Sequence, residues 1–119
     1  MKTLSSEELG EAVFAMLKEQ PFILAKNAQI THDMLLHEQA AQSMLLDLME
    51  RRIENLDDAP DAVRGLIAAF MSQFLHDLAI GPLQNEKWEA PSEAPPADQA
   101  RYVIAALLRE KTSLWRSPQ

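Results

Sequence analysis

The residues from Asp33 to Leu56 form the most constraining stretch of this sequence, because their apolar side chains recur at helical spacing over a wide arc. That arc covers about 200° of the circumference, whereas an ordinary surface helix shows an apolar stripe of about 100°. Leu36 and Ala40 fall on the polar side. A helix with such a face needs two packing partners, so the stretch predicts the centre of a helical fold. The apolar arc contains Met34, Leu35, Ala41, Met44, Leu45, Leu46, Leu48, Met49, Ile53 and Leu56.

Two neighbouring segments carry helical patterns that can pack against this stretch. Ser5 and Glu8 have the spacing of a capping box, which predicts a first helix over residues 6–19. Apolar residues three and four positions apart predict a long helix over residues 60–80, ended by a Gly-Pro pair. The connection between 33–56 and 60–80 is short, so we expect these two helices to form an antiparallel hairpin.

The remaining patterns complete an all-α prediction. A fourth helix is expected over residues 96–111. The apolar run at 22–25 could be a short strand or a helix of one to two turns with Pro21 in its first turn, and we expect the helix because no second strand is in evidence to pair with it. At 119 residues the chain has the size of one domain. We expect a compact bundle of four main helices plus a short one, in a single domain over residues 1–119, with 33–56 and 60–80 as its central antiparallel pair.

The proline-rich segment 81–96 interrupts this pattern and is expected to be a connecting loop without regular structure. Connections of this length are uncommon in compact domains and are usually mobile or functional. Trp88 lies in its middle, and a tryptophan side chain buries a large apolar area. We therefore expect Trp88, together with Leu83, to dock on the helical body and to carry the loop across its face.

Composition excludes several function classes. The chain has no cysteine, which rules out disulfides, thiolate metal sites and a cysteine nucleophile. Its net charge is −7, and residues 1–60 hold 11 acidic against 5 basic residues. An acidic surface repels phosphates, so neither direct nucleic-acid binding nor attachment to an anionic membrane is expected. No signal peptide or long apolar run is visible, and a cytoplasmic location is expected.

One group of residues has the chemistry of metal ligands. Asp33 and His37 are four residues apart on one predicted helix face, beside His32, and His76 on the next helix offers a further ligand. The His-Glu-x-x-His pattern of zinc peptidases is absent, because Ala41 stands where its second histidine would be. No catalytic residue, cofactor-binding residue or metal ligand is therefore assigned, and a helical ligand-binding or metal-dependent enzyme at this group remains an alternative.

The sequence favours a non-enzymatic protein–protein interaction module. The apolar arcs exceed what a small bundle comfortably buries, and chemistry-capable residues are scattered. We therefore expect a small acidic adaptor, inhibitor or chaperone-like regulator of a prokaryote or phage, with a protein partner or a second copy forming a homodimer. A further alternative is an acidic mimic of nucleic acid that occupies a basic groove on another protein. The predicted partner-binding residues are Leu36, Glu38, Met49, Arg52, Ile53 and Trp88.

Overall fold

The all-α prediction is confirmed by a computed structural model, which describes residues 1–20 and 31–110. Its elements are β1 (Lys2–Leu4), α1 (Ser6–Glu19), α2 (His32–Leu35), α3 (Glu38–Met49), α4 (Asp61–Ile80), β2 (Trp88–Ala90) and α5 (Pro96–Glu110). The short helix predicted at 22–25 and the end of the last helix near Lys111 lie outside the described residues.

Helix α1 begins at the predicted capping box. The Ser5 hydroxyl accepts a hydrogen bond from the Glu8 backbone N–H at 3.2 Å, and the Glu8 carboxylate accepts one from the Ser5 backbone N–H at 3.1 Å. This second bond lowers the pKa of Glu8, because it stabilises the ionised carboxylate. The buried face of α1 consists of Leu9, Ala12, Val13, Met16 and Leu17.

The predicted continuous helix over 33–56 is wrong in its bounds, because the structure divides it into α2 and α3 and ends it at Met49. Beyond Met49, Arg51 has a φ of 60°, a left-handed backbone conformation that normally selects glycine. The Arg52 N–H donates to the Asp47 carbonyl at 2.8 Å, and the Arg51 N–H donates to the Leu48 carbonyl at 3.2 Å. These two bonds form a Schellman motif, which closes α3 without the glycine that would have marked its end in the sequence.

The core is built by all four long helices. The most extensive contact between helices joins α1 to α5, and α3 packs against both α4 and α5. Nine residues of α4 are buried, including Leu66, Ile67 and Met71. By length and hydropathy alone α4 could also cross a membrane, since it has 20 residues and a mean hydropathy of 1.2; the core helix of a soluble protein passes the same test, and half of α4 is buried within the fold.

The proline-rich segment contains a strand that the sequence analysis missed. β2 pairs with β1 in antiparallel register, with Leu4 opposite Trp88 and Lys2 opposite Ala90. A three-residue strand is too short to show an alternating pattern, and its partner lies at the other end of the sequence. Trp88 is 8% exposed and Leu83 packs against the core, which confirms the predicted docking of this segment on the helical body.

A buried arginine joins three of the helices. Arg101 of α5 is 4% exposed, and its Nη1 donates to the Leu48 carbonyl at the end of α3 at 3.0 Å. Its Nη2 donates to Glu19 Oε2 at the end of α1 at 3.1 Å, and its Nε lies 3.6 Å from Asp98 Oδ1. Arg51 also donates to Asp98, and this hydrogen bond raises the pKa of Arg51. The guanidinium of Arg101 therefore holds the ends of α1 and α3 against α5.

Replacing Arg101 by alanine is expected to lower the free energy of unfolding by about 2–4 kcal/mol, because the buried Leu48 carbonyl loses its side-chain donor and the Glu19 and Asp98 carboxylates lose a cation. Urea denaturation of the two proteins measures the difference. Arg109→Ala is the matched control on the same helix: Arg109 is largely exposed and lies 3.7 Å from Glu50, so its loss should cost less than about 1 kcal/mol. Equal losses of unfolding free energy in the Arg101 and Arg109 variants would contradict the role of Arg101 in joining the helices.

Candidate functional site

An open groove runs between the N-terminal half of α1 and the C-terminal end of α4. Its volume is about 540 Å³, within the range of ligand-binding clefts. The loop that follows α4 borders it at the N-terminal end of α1. The lining residues are Glu7, Gly10, Glu11 and Phe14 from α1, Leu75, Leu78 and Ala79 from α4, and Ser6, Gln84 and Asn85 at the loop end.

The middle of the groove is apolar. Phe14 is 58% exposed although it lies in the middle of a well-formed helix, and it shares the groove with the half-buried Leu75 and the buried Leu78. Ile80, the last residue of α4, is also largely exposed but does not line the groove. Exposed apolar side chains that cluster in a concave surface are typical of binding sites, whereas scattered ones need no explanation.

Nothing in the described fold requires a glycine at position 10. Glycine inside a helix costs about 0.5–1 kcal/mol relative to alanine. The helix of Gly10 does not need a positive φ, and a Cβ built on this residue meets no atom within 4 Å. The missing side chain therefore leaves open space in the groove beside Phe14, where another backbone could approach closely.

Two acidic residues border the same face of α1. Glu7 and Glu11 are four residues apart, and like charges at this spacing destabilise a helix by about 0.2–0.5 kcal/mol. Both are exposed, and neither forms an ion pair with any residue that the structure describes. The nearest basic residue along this face, Lys18, lies one helical turn beyond Phe14 and does not line the groove.

The loop end of the groove is rich in hydrogen-bond acceptors. The Ser6 hydroxyl lies at hydrogen-bonding distance from three backbone carbonyls, those of Leu83 at 3.1 Å, Glu86 at 3.2 Å and Gln84. A hydroxyl has one proton and can donate to only one acceptor at a time. The arrangement ties the loop to α1 and leaves two of these carbonyls without the Ser6 proton at any moment, although the Leu83 carbonyl also accepts from the Glu86 backbone N–H at 3.2 Å.

The six predicted partner-binding residues do not share one exposed face. Met49 is 4% exposed and Trp88 lies against α5, so both belong to the chain's own core. Glu38 and Ile53 are half-buried, and Ile53 packs against the core. The two exposed members are Leu36 and Arg52, and Arg52 lies 3.8 Å from Asp47 and 3.7 Å from Glu50.

The predicted metal-ligand group does not come together. His32, Asp33, His37 and His76 are all exposed, and His76 lies 3.7 Å from Asp77 of its own helix. Within residues 1–20 and 31–110, no three His, Asp or Glu side chains are placed to hold a metal ion. The alternative of a metal-dependent enzyme at these residues therefore lacks its geometric basis.

A second hollow lies beside Arg101, with a volume of about 410 Å³, and is lined by Gln20, Arg51, Ile53 and Glu54. Its two guanidinium groups are already engaged by acceptors of this chain, namely Asp98, Glu19 and the Leu48 carbonyl. The charges of this hollow hold helix ends together, so the groove between α1 and α4 is the stronger candidate site.

The groove was missed in the sequence analysis, although α1 carried two signals of it. Gly10 interrupts a helical pattern, and Phe14 lies off the apolar stripe formed by Leu9, Val13 and Met16. Each signal is weak alone, since isolated glycines and exposed aromatic residues occur in many helices. They indicate a groove only when α4 packs beside α1, and this tertiary contact is not visible in the sequence.

Replacing Gly10 by alanine is expected to raise the free energy of unfolding by about 0.5–1 kcal/mol, because the helix gains propensity and the new Cβ meets no atom. Gly81→Ala is the matched control: a Cβ there would lie 2.8 Å from the Asp77 Cα, so this variant should lose about 1–3 kcal/mol. Thermal or urea denaturation measures both. A destabilised Gly10→Ala protein would show that Gly10 serves the fold.

No protein-family model, curated protein or solved structure matches this chain. The features that characterise the groove between α1 and α4 are therefore its own: an apolar middle at Phe14, open space at Gly10 and an acidic border at Glu7 and Glu11.

Proposed function

We propose that the protein is a non-enzymatic interaction module, a small acidic cytoplasmic adaptor or inhibitor, which holds an apolar segment of a partner protein in the groove between α1 and α4. The observation that carries this proposal is the open space at Gly10 beside the exposed Phe14. Gly10 lowers the stability of the helix, and the exposed ring of Phe14 is unfavourably hydrated. These two residues lie next to each other on one helix face. Departures from local rules of this kind are expected at functional sites.

A protein segment fits the groove better than a small molecule does. Small-molecule sites combine an enclosed apolar pocket with a few convergent polar groups that fix orientation. Here the walls are two long helices, and the polar groups, Glu7, Glu11 and the acceptors around Ser6, lie along the border and at one end. An amphipathic helix laid in a groove presents its apolar side chains in a row, which matches walls of this length.

A second copy of this chain is the less suitable occupant. Each copy has a net charge of −7, and a two-fold interface on this groove would bring the Glu7 and Glu11 residues of both copies to one surface. Like charges brought together in this way oppose association. We therefore expect the protein to bind a different chain, and to remain monomeric through this surface.

The test is selection from a displayed library of random peptides of about 16 residues, long enough for four helical turns. Peptides selected on the unmodified protein are expected to bind Gly10→Trp at least about tenfold more weakly, a loss of roughly 1.4 kcal/mol, because the indole fills the groove. A Cβ at Gly10 meets no atom within 4 Å, so the substituted side chain leaves the helix without a clash at its first carbon, and a thermal melt of Gly10→Trp checks that the variant is folded. Ser43→Trp adds the same side chain at an exposed position of α3 outside the groove and should leave binding unchanged.

Two results would overturn the proposal. The first is a set of selected peptides that bind Gly10→Trp as tightly as the unmodified protein, or no selected peptide at all. The second is a dimer, detected by light scattering of the unmodified protein, that Gly10→Trp dissociates; the groove would then be an interface between copies of this chain.

A further inference from the structure

We infer that the segment held in the groove is an amphipathic helix with lysine or arginine side chains at one end, which lie over Glu7, Glu11 and the carbonyls around Ser6. This inference rests on the proposed function and adds the chemistry and the orientation of the partner.

The charge of the groove border is one-sided. Glu7 and Glu11 line it, and among residues 1–20 and 31–110 no lysine, arginine or histidine does so. Glu7 lies in the first turn of α1, where the helix dipole stabilises a carboxylate, but Glu7 and Glu11 repel each other across four residues, and a cation placed between them removes that repulsion. The chain as a whole carries a net charge of −7, which also favours the approach of a basic segment.

The C-terminal end of α4 adds negative potential at the same end of the groove, where it offsets the partial positive charge at the N-terminal end of α1. A helix of 20 residues ends there at Ile80, and its last turn contains no basic residue. The C-terminal end of a helix carries a partial negative charge that cations stabilise. The carbonyls of Leu83, Gln84 and Glu86 converge close by, and Ser6 can donate to only one of them at a time. An ammonium or guanidinium group supplies several donors to such a cluster.

The apolar middle fixes how the partner lies. On α1, Phe14 lies seven residues, about two turns, beyond Glu7 and three residues, just under one turn, beyond Glu11, so the partner's apolar side chains pack at Phe14 and Leu75 while its cations reach Glu7 and Glu11. Gly10 lies three residues beyond Glu7 and four residues before Phe14, and allows the partner's backbone to come close. Lys18 lies beyond Phe14, which disfavours cations at the other end of the partner.

The inference is tested with four synthetic helical peptides of about 15 residues, near the length at which isolated helices become stable. Three share one apolar face and carry Lys, Gln or Glu at two polar positions of one end; the fourth keeps the Lys residues but replaces the apolar face by Gln. Fluorescence anisotropy measures their affinity for the unmodified protein, for Glu7→Gln/Glu11→Gln and for Gly10→Trp, at roughly 50 and 500 mM NaCl, which spans strong to weak screening.

The apolar Lys peptide should bind about three- to tenfold more tightly than the Gln peptide, and the Glu peptide more weakly still, since one exposed ion pair contributes at most about fivefold. The difference between Lys and Gln should disappear in Glu7→Gln/Glu11→Gln and shrink at high salt. Gly10→Trp should weaken all three apolar peptides.

The two levels of the proposal fail in different ways. Equal affinity for the Lys, Gln and Glu peptides, with all three weakened by Gly10→Trp, would overturn the basic partner and leave the groove as a protein-binding site. Indifference of all peptides to Gly10→Trp would overturn the proposed function itself. Equal affinity for both Lys peptides would show that charge alone drives association, as an acidic mimic of nucleic acid requires.

Discussion

The buried guanidinium of Arg101 is the interaction on which the arrangement of the helices depends. A charge removed from water is costly unless its hydrogen bonds are satisfied. Its acceptors come from the end of α3 and the end of α1, and Asp98 one turn earlier in α5 balances its charge. The partners in α1 and α3 are distant in sequence, so Nη1 and Nη2 find their acceptors only when α1 and α3 both reach α5, while Nε has no hydrogen-bond partner among the described residues. This requirement selects one arrangement among the many that a generic apolar core would permit.

The same arrangement explains why one face of α1 has no packing partner among the residues that the structure describes. The most extensive helix contact buries the Leu9, Val13 and Met16 side of α1 against α5 and the core. Glu7, Gly10, Glu11 and Phe14 recur at spacings of three and four residues, so they share the side of α1 that faces the groove. Because Arg101 fixes the C-terminal end of α1 through Glu19, the helix cannot rotate to bury Phe14 without losing that bond. The exposure of this face is therefore a consequence of the core.

Sequence periodicity was sufficient for the helical class, the bounds of α1 and α4 and the docking of Trp88, because each depends on local spacing or on the size of one side chain. It failed where the deciding contact is distant in sequence. Arg51 adopts a glycine-like conformation held by Asp98, and β2 exists through its pairing with residues 2–4. Five of the six predicted partner-binding residues, all but Trp88, came from the stretch 33–56. The described apolar members of its wide arc are buried or half-buried by the chain itself, whereas the groove needs two helices to exist.

The groove is also shaped before any partner arrives. Gly81 ends α4 against Asp77 so closely that no Cβ fits, which sets the direction of the following loop. Ser6 then ties that loop to the first turn of α1, and the Ser5 and Glu8 capping box fixes that turn. A surface held at both walls loses little conformational entropy on binding, so more of the contact energy with an apolar side chain appears as affinity. The ordering cost of the complex then falls mainly on the incoming segment, which favours a partner that is already helical.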